Sequence, residues 1–113
     1  MKKIEAIIRV NRLEAVKQAL EDAEIHGITV EQVRGYGRQF GRTDKYRGST
    51  YAVNLLPKLR IMIVVPDSQS EAAILAITES AQSGEIGDGK IFVSDVMDAI
   101  RIRTGERGED ALN

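Results

Sequence analysis

Leu59-Arg60-Ile61-Met62-Ile63-Val64-Val65, cut off by Pro66-Asp67-Ser68, is the stretch on which the fold turns. Its dense β-branched and aliphatic character predicts a strand, and Pro66 stops it. Ser68 and Glu71 have the spacing of a capping box. Ala73, Ile74, Ile77 and Ala81 then give the following helix its apolar face. Ser83-Gly84 ends that helix, and Gly84 to Gly89 forms a glycine loop. Ile91-Phe92-Val93 begins a last strand region, which resumes as Ile100-Arg101-Ile102-Arg103.

The chain before this run repeats the plan. Ile4, Ala6, Ile8 and Val10 alternate as a strand with one buried face. Asn11 and Glu14 can cap a helix that carries Leu13, Val16, Leu20 and Ala23 at helical spacing and ends at Gly27. Ile28 to Val33 reads as a second strand. From Gly35 to Tyr51 the pattern collapses into a polar stretch punctuated by Gly35, Gly37, Gly41 and Gly48. Loops this long in a compact domain are usually functional.

The resulting order, β-α-β-loop-β-α-β, is the α+β ferredoxin-like arrangement. It predicts one domain over residues 1–113, with a long mobile loop at about 37–55 and a mobile polar tail at about 104–113. Both helices should pack on one sheet face. With three tyrosines, two phenylalanines and no tryptophan, this chain alone cannot cover the other face well. Self-association into a closed ring is therefore expected, and periodicity does not fix the number of subunits.

The formal net charge is −1, so the global basic field of a nucleic-acid binder is absent. With no cysteine, disulfides, thiol catalysis and cysteine-based metal sites are excluded. No apolar run reaches the length of a membrane span. The expectation is a cytoplasmic protein without membrane insertion. No Ser-His-Asp or Cys-His set exists, and the carboxylates lack a metal-binding spacing.

Three features carry chemistry. In Gly84-Glu85-Ile86-Gly87-Asp88-Gly89-Lys90-Ile91, glycines let backbone N–H groups converge on an anion, and Lys90 adds a charge. The string nearly matches a P-loop, but Ile91 stands where a hydroxyl is needed and the context is helix-loop-strand. A phosphate cradle of another type and a glycine turn with a solvated lysine both remain open from this string. Arg101 and Arg103, two apart on a strand, would project from one face and clamp an anion, with Ile100 and Ile102 in the core. The long loop mixes Arg38, Arg42, Lys45 and Arg47 with Tyr36, Phe40, Tyr46 and Tyr51, which reads as a recognition loop. Lys58, at the foot of that loop, reads by itself as a solvated lysine at a strand entrance. His26, just before Gly27, reads as a helix-end residue.

Along essentially its whole length the chain resembles the PII nitrogen regulatory proteins. The matching strings are Met1-Lys2-Lys3-Ile4-Glu5-Ala6-Ile7-Ile8-Arg9, Val33-Arg34-Gly35-Tyr36-Gly37-Arg38-Gln39 and Tyr46-Arg47-Gly48-Ser49. Gly84 to Val93 and Ile100-Arg101-Ile102-Arg103-Thr104-Gly105-Glu106 complete the set, and these two together are highly specific.

The resemblance implies a non-enzymatic signalling protein, a homotrimer that binds ATP or ADP in clefts between subunits. It implies that Gly87, Asp88, Gly89 and Lys90 cradle phosphates, that Arg101 and Arg103 reach them from a neighbouring strand, and that Gly37 and Arg38 contribute from the loop base. Thr29 and the backbone near Val64 would hold adenine. Mg2+ on the ATP phosphates, completed by Gln39, would hold 2-oxoglutarate, whose distal carboxylate pairs with Lys58. The loop would regulate partners such as an ammonium transporter, a metabolic enzyme or a transcription regulator. That leaves open a peripheral position at a membrane through a transporter, or a plastid stroma. Tyr51 and Ser49 match modified positions, and Arg47 matches a partner-contacting arginine.

The chain departs from the family's pattern at four places. Val10-Asn11 replaces Pro-Phe, Phe40 replaces a lysine, and Thr50 alters the surroundings of Tyr51. Met62 replaces a glutamate able to pair with Lys90. A divergent paralogue that senses another ligand is one alternative. A small nucleotide-hydrolysing enzyme is a second, supported only by the phosphate cradle. An RNA-binding βαββαβ sheet is a third, weakened because only Phe92 lies in a predicted strand core.

Overall fold

Alternation alone builds the first strand: Ile4, Ala6 and Ile8 are buried while their neighbours are not. A computed structural model describes residues 1–36, 43–46, 49–52 and 55–112, with backbone only at 43–46 and 49–52. The strands are β1 (Lys2–Ile8), β2 (Thr29–Gly35), β3 (Thr43–Tyr46), β4 (Ser49–Ala52), β5 (Leu56–Val65) and β6 (Gly89–Asp95). The helices are α1 (Leu13–Asp22) and α2 (Asp67–Ala81), with 3-10 turns at Val10–Arg12 and Gly108–Leu112.

The four-stranded sheet runs β2-β5-β1-β6, and every pairing is antiparallel. With a helix between β1 and β2 and another between β5 and β6, this is the ferredoxin-like arrangement. Register aligns the buried residues in rows: Ile4 lies between Ile63 and Val93, Ala6 between Ile61 and Ile91, and Ile8 between Leu59 and Gly89. Val16 and Leu20 of α1 and Ala73, Ile77 and Ala81 of α2 close over them as one core. Each fully buried aliphatic side chain there contributes about 1.5–3 kcal/mol.

The opposite face has no helical cover. Its rows are Thr29–Met62–Glu5–Phe92 and Glu31–Arg60–Ile7–Lys90. Phe92 is 56 % exposed there. Arg60 donates to both oxygens of Glu31, at 2.9 and 3.0 Å, and Lys3 pairs with Glu5 at 2.9 Å.

Neither capping box forms. Asn11 lies in the 3-10 turn, closed by the Arg12 N–H on the Arg9 carbonyl, and α1 starts at Leu13 with no side-chain cap. Pro66 occupies the N-cap of α2, so Ser68 is already inside the helix, and Asp67 brings negative charge to its first turn. Helix α1 stops before Gly27. Glu24 takes a left-handed φ of 63°. Its N–H bonds the Glu21 carbonyl, and that of Ile25 bonds the Leu20 carbonyl. This is a Schellman ending, stapled by buried Leu20 and Ile25.

The expectation that Ile100–Arg103 resumes the last strand is corrected. Residues 102–104 form a turn, in which Gly105, at φ 76°, donates to the Arg101 carbonyl at 2.7 Å. Ile102 is fully exposed and Ile100 half exposed. The segment pairs with neither edge strand of the sheet and is held by local bonds instead, the Arg101 N–H donating to the Glu106 carbonyl at 2.9 Å. The polar tail also folds. Ile100 bridges Arg107, Arg107 pairs with Asp98 at 3.0 Å, and Gly108–Leu112 follows as the 3-10 turn. In the long loop, β3 and β4 pair as a hairpin. The mobility expected at about 37–55 otherwise lies outside the described residues.

Candidate functional site: a glycine loop held by two cations

The glycine loop follows from how α2 ends. Gln82 turns to extended backbone, and Gly84, Gly87 and Gly89 take φ values of 88°, 101° and 110°. Only glycine adopts such values readily. Gly89 is the most constrained, since a Cβ there would lie 1.7 Å from the Ile7 carbonyl oxygen. The loop is thereby pressed against the end of β1.

Asp88 closes the loop on itself. One carboxylate oxygen accepts the N–H groups of Ser83 and Gly84 at 2.7 and 2.8 Å. The other accepts the Ser83 hydroxyl and, at 3.0 Å, Arg9 Nε. The Ser83 hydroxyl first, then the backbone amides and Arg9, hold this carboxyl well below the usual carboxylate range despite its partial burial. Arg9 also donates to the Ile86 carbonyl at 3.0 Å.

Lys58 is not at a strand entrance. It is the third residue of β5 and only 9 % exposed. Its Nζ donates to the Gly87 carbonyl at 2.7 Å. Burial, assisted by Arg9 and opposed by Asp88, lowers its pKa from the ordinary lysine value. Two cations, Arg9 just past the end of β1 and Lys58 on β5, therefore converge on one glycine loop. A cleft of about 440 Å³, lined by Ile7, Ile77, Gln82, Asp88, Gly89 and Lys90, opens beside it. A second, of about 450 Å³, lies at the loop foot around Val10, Val33, Pro57 and Lys58.

The remaining expected residues sit elsewhere. Thr29 faces Met62 across β2 and β5, and Val64, two residues along β5, shares that open face. Lys90 is on β6, the far edge strand, with β5 and β1 intervening, about 14 Å across at the usual strand spacing. Arg101 and Arg103 are not a strand pair. Arg101 pairs with Glu106 at 2.8 Å and reaches the Asp110 carbonyl at 3.2 Å, while Arg103 is exposed in the turn. Within one chain, then, Gly87 to Lys90 join Lys58, while Thr29 and Val64 form a separate corner. Gly37, Arg38, Gln39 and Arg47 lie outside the described residues. The side chains of Ser49 and Tyr51, on β4, do too. Sequence reading missed Arg9 and Ser83 as loop anchors. The signal for Arg9 was a charged residue just past the buried alternation of β1, next to no acid in sequence.

Among the described residues, no three His, Cys, Asp or Glu side chains converge as a metal site, and no helix is long and apolar enough to cross a membrane.

Fold and site together define a ferredoxin-like protein with a cation-anchored glycine loop and a long insertion between its two halves. The particular family follows from comparison. The family model described as Nitrogen regulatory protein P-II matches residues 1–106. The chain is 57 % identical over 112 residues to the Nitrogen regulatory protein P-II of Pasteurella multocida, covering 99 % of this chain and all of that one. It is 54 % identical to the protein of that name in Rhizobium meliloti, with the same coverage. Nitrogen regulatory protein P-II 1 of Methanothermobacter thermautotrophicus is also 54 % identical, with 97 % of its length covered. The chain belongs to the P-II family, whose members are regulatory signalling proteins that act on partners and are not enzymes.

Proposed function

We propose that this chain senses nitrogen, carbon and energy status as a homotrimer, binding ATP or ADP between subunits and 2-oxoglutarate beside the nucleotide. The observation that carries this reading is the glycine loop pinned by Arg9 and Lys58 beside exposed Lys90. Backbone N–H groups of Gly87 to Lys90 are suited to phosphate, and Lys90 supplies charge. Thr29 and Val64, suited to adenine, lie toward the opposite edge of the sheet. With these halves toward opposite margins of the sheet, a neighbour's corner would complete the site. The same neighbour relation covers Phe92, Met97 and Ile102, which are exposed in the single chain, and lets Arg101 and Arg103 reach phosphates.

Bound Mg2+ would neutralise phosphate charge and orient 2-oxoglutarate, with Gln39 as its protein ligand. Lys58 is a buried cation, suited to a carboxylate that enters the same desolvated corner. The insertion containing Arg47, Ser49 and Tyr51 would then adopt the state favoured by the bound ligands. Its partners would be an ammonium transporter, a metabolic enzyme or a regulator, met in the cytoplasm or at a membrane through the transporter. Charge added at Tyr51 or Ser49 would block docking.

Calorimetric titration of 2-oxoglutarate with Mg-ATP, and then with Mg-ADP, tests the reading. Uptake with ATP alone supports it. Nucleotide binding without 2-oxoglutarate uptake favours a divergent paralogue with another ligand, the reading to which Met62 points. Met62 fills the open-face row between Thr29 and Glu5, where the family's usual acid would stand. Equal ATP and ADP affinities in the wild type and Met62→Glu would remove that support.

A further inference from the structure

We propose that Arg9 and Asp88 are a positioning pair that sets the shape of the glycine loop for its anion. This rests on the reading of that loop as a phosphate cradle. A carboxylate inside a phosphate cradle is at first sight misplaced, since like charges repel. The Asp88 side chain, however, accepts the N–H groups of Ser83 and Gly84, five and four residues earlier. Its other oxygen takes the Ser83 hydroxyl and Arg9.

Arg9 uses two of its nitrogens on two separate points of the loop, the Asp88 carboxylate and the Ile86 carbonyl, each at 3.0 Å. Both side chains are largely buried, at 22 % and 21 % exposure. A planar guanidinium makes these two contacts at fixed geometry, and an ammonium does not. Lys58 fixes a third point, the Gly87 carbonyl. Glycine-rich chain has the most conformational freedom to lose, and a loop ordered before binding avoids that loss on binding. The pair orders the loop through the Ser83 and Gly84 amides and the Ile86 carbonyl, without using the amides of Gly87 to Gly89. Asp88 then acts through the loop rather than by touching phosphate.

The sign of one substitution separates this role from simple electrostatics. If Asp88 acted only as a negative charge beside phosphate, Asp88→Ala would bind ADP more tightly. As a positioning residue, its loss weakens ADP binding roughly tenfold or more, the scale of a lost charge-assisted hydrogen bond. The experiment is calorimetric ADP titration of full-length wild type, Asp88→Ala and Arg9→Lys. Amide hydrogen exchange of Ser83 and Gly84 is read without nucleotide. Weaker ADP binding together with faster exchange in Asp88→Ala supports the pair, with Arg9→Lys intermediate in both. Equal or tighter ADP binding by Asp88→Ala overturns it. If Asp88→Ala does not fold, Arg9→Lys decides, and wild-type affinity and exchange there overturn the proposal. A wild type that takes up no ADP overturns the cradle reading itself, an outcome distinct from a wild type that binds beside unchanged variants.

Discussion

Lys58 Nζ donates to the carbonyl oxygen of Gly87 at 2.7 Å, tying the middle of the sheet to the tip of the glycine loop. The lysine is 9 % exposed, and its burial lowers its pKa. It is a buried cation donating to a neutral carbonyl, and a carboxylate entering the same corner would be a stronger acceptor for it. On the proposed reading, one side chain would join the loop to the second-ligand position.

Lys58→Met keeps the length of the side chain and removes its charge. Stability is expected to fall by about 1–3 kcal/mol from the unsatisfied Gly87 carbonyl, offset in part because a charge is no longer buried. 2-oxoglutarate uptake with Mg-ATP is expected to fall roughly hundredfold or more. Urea denaturation and calorimetry read the two effects separately.

Gly89→Ala and Gly84→Ala should differ although both glycines have positive φ. A Cβ on Gly89 meets the Ile7 carbonyl, whereas nothing lies within 4 Å of one on Gly84. Chemical denaturation is expected to show a loss of about 1–2 kcal/mol for Gly84→Ala from backbone strain. For Gly89→Ala the loss should exceed about 3 kcal/mol.

Glu24→Gly should stabilise the chain. Glu24 holds the left-handed position of the Schellman ending at φ 63°, a conformation that disfavours non-glycine residues by about 1–2 kcal/mol. Offset by the greater freedom of glycine in the unfolded chain, a net gain of about 0.5–1 kcal/mol is expected in urea denaturation.

Acid should act through Asp88. Its folded carboxyl has a pKa below the ordinary 3.8, so below that value the unfolded chain binds more protons and stability rises with pH. The contribution is present above about pH 4 and is lost as pH falls through the folded value. Glu5 and Asp95, held low by Lys3 and Lys2, act in the same direction. The comparison that isolates Asp88 is the wild type against Asp88→Asn, which should show the flatter slope below about pH 4.

The strand-helix rhythm was legible because its signals are local: alternation at Ile4, Ala6 and Ile8, and a continuous apolar run at Leu59 to Val65. The glycine loop was legible too, since closely spaced glycines mark backbone conformations that other residues rarely adopt. What failed depends on partners distant in sequence. Ile100-Arg101-Ile102-Arg103 alternates as a strand should, but local bonds to Gly105 and Glu106 curl the segment into a turn instead. Lys58 looks solvated until β1 and the glycine loop close over it. Arg9 is marked only as a charge just past the β1 alternation, and its partner stays hidden because that acid lies 79 positions away.

Thr29 and Lys90 stand toward opposite margins of one sheet. On the proposed reading, a head-to-tail ring of such subunits would have as many ligand sites as joints. A chain damaged at Lys90 and a chain damaged at Thr29, mixed in one ring, would place two sound halves together at some joints. Defects in separate copies would then compensate one another, and ligand capacity would be a property of the pairing of chains rather than of any one of them.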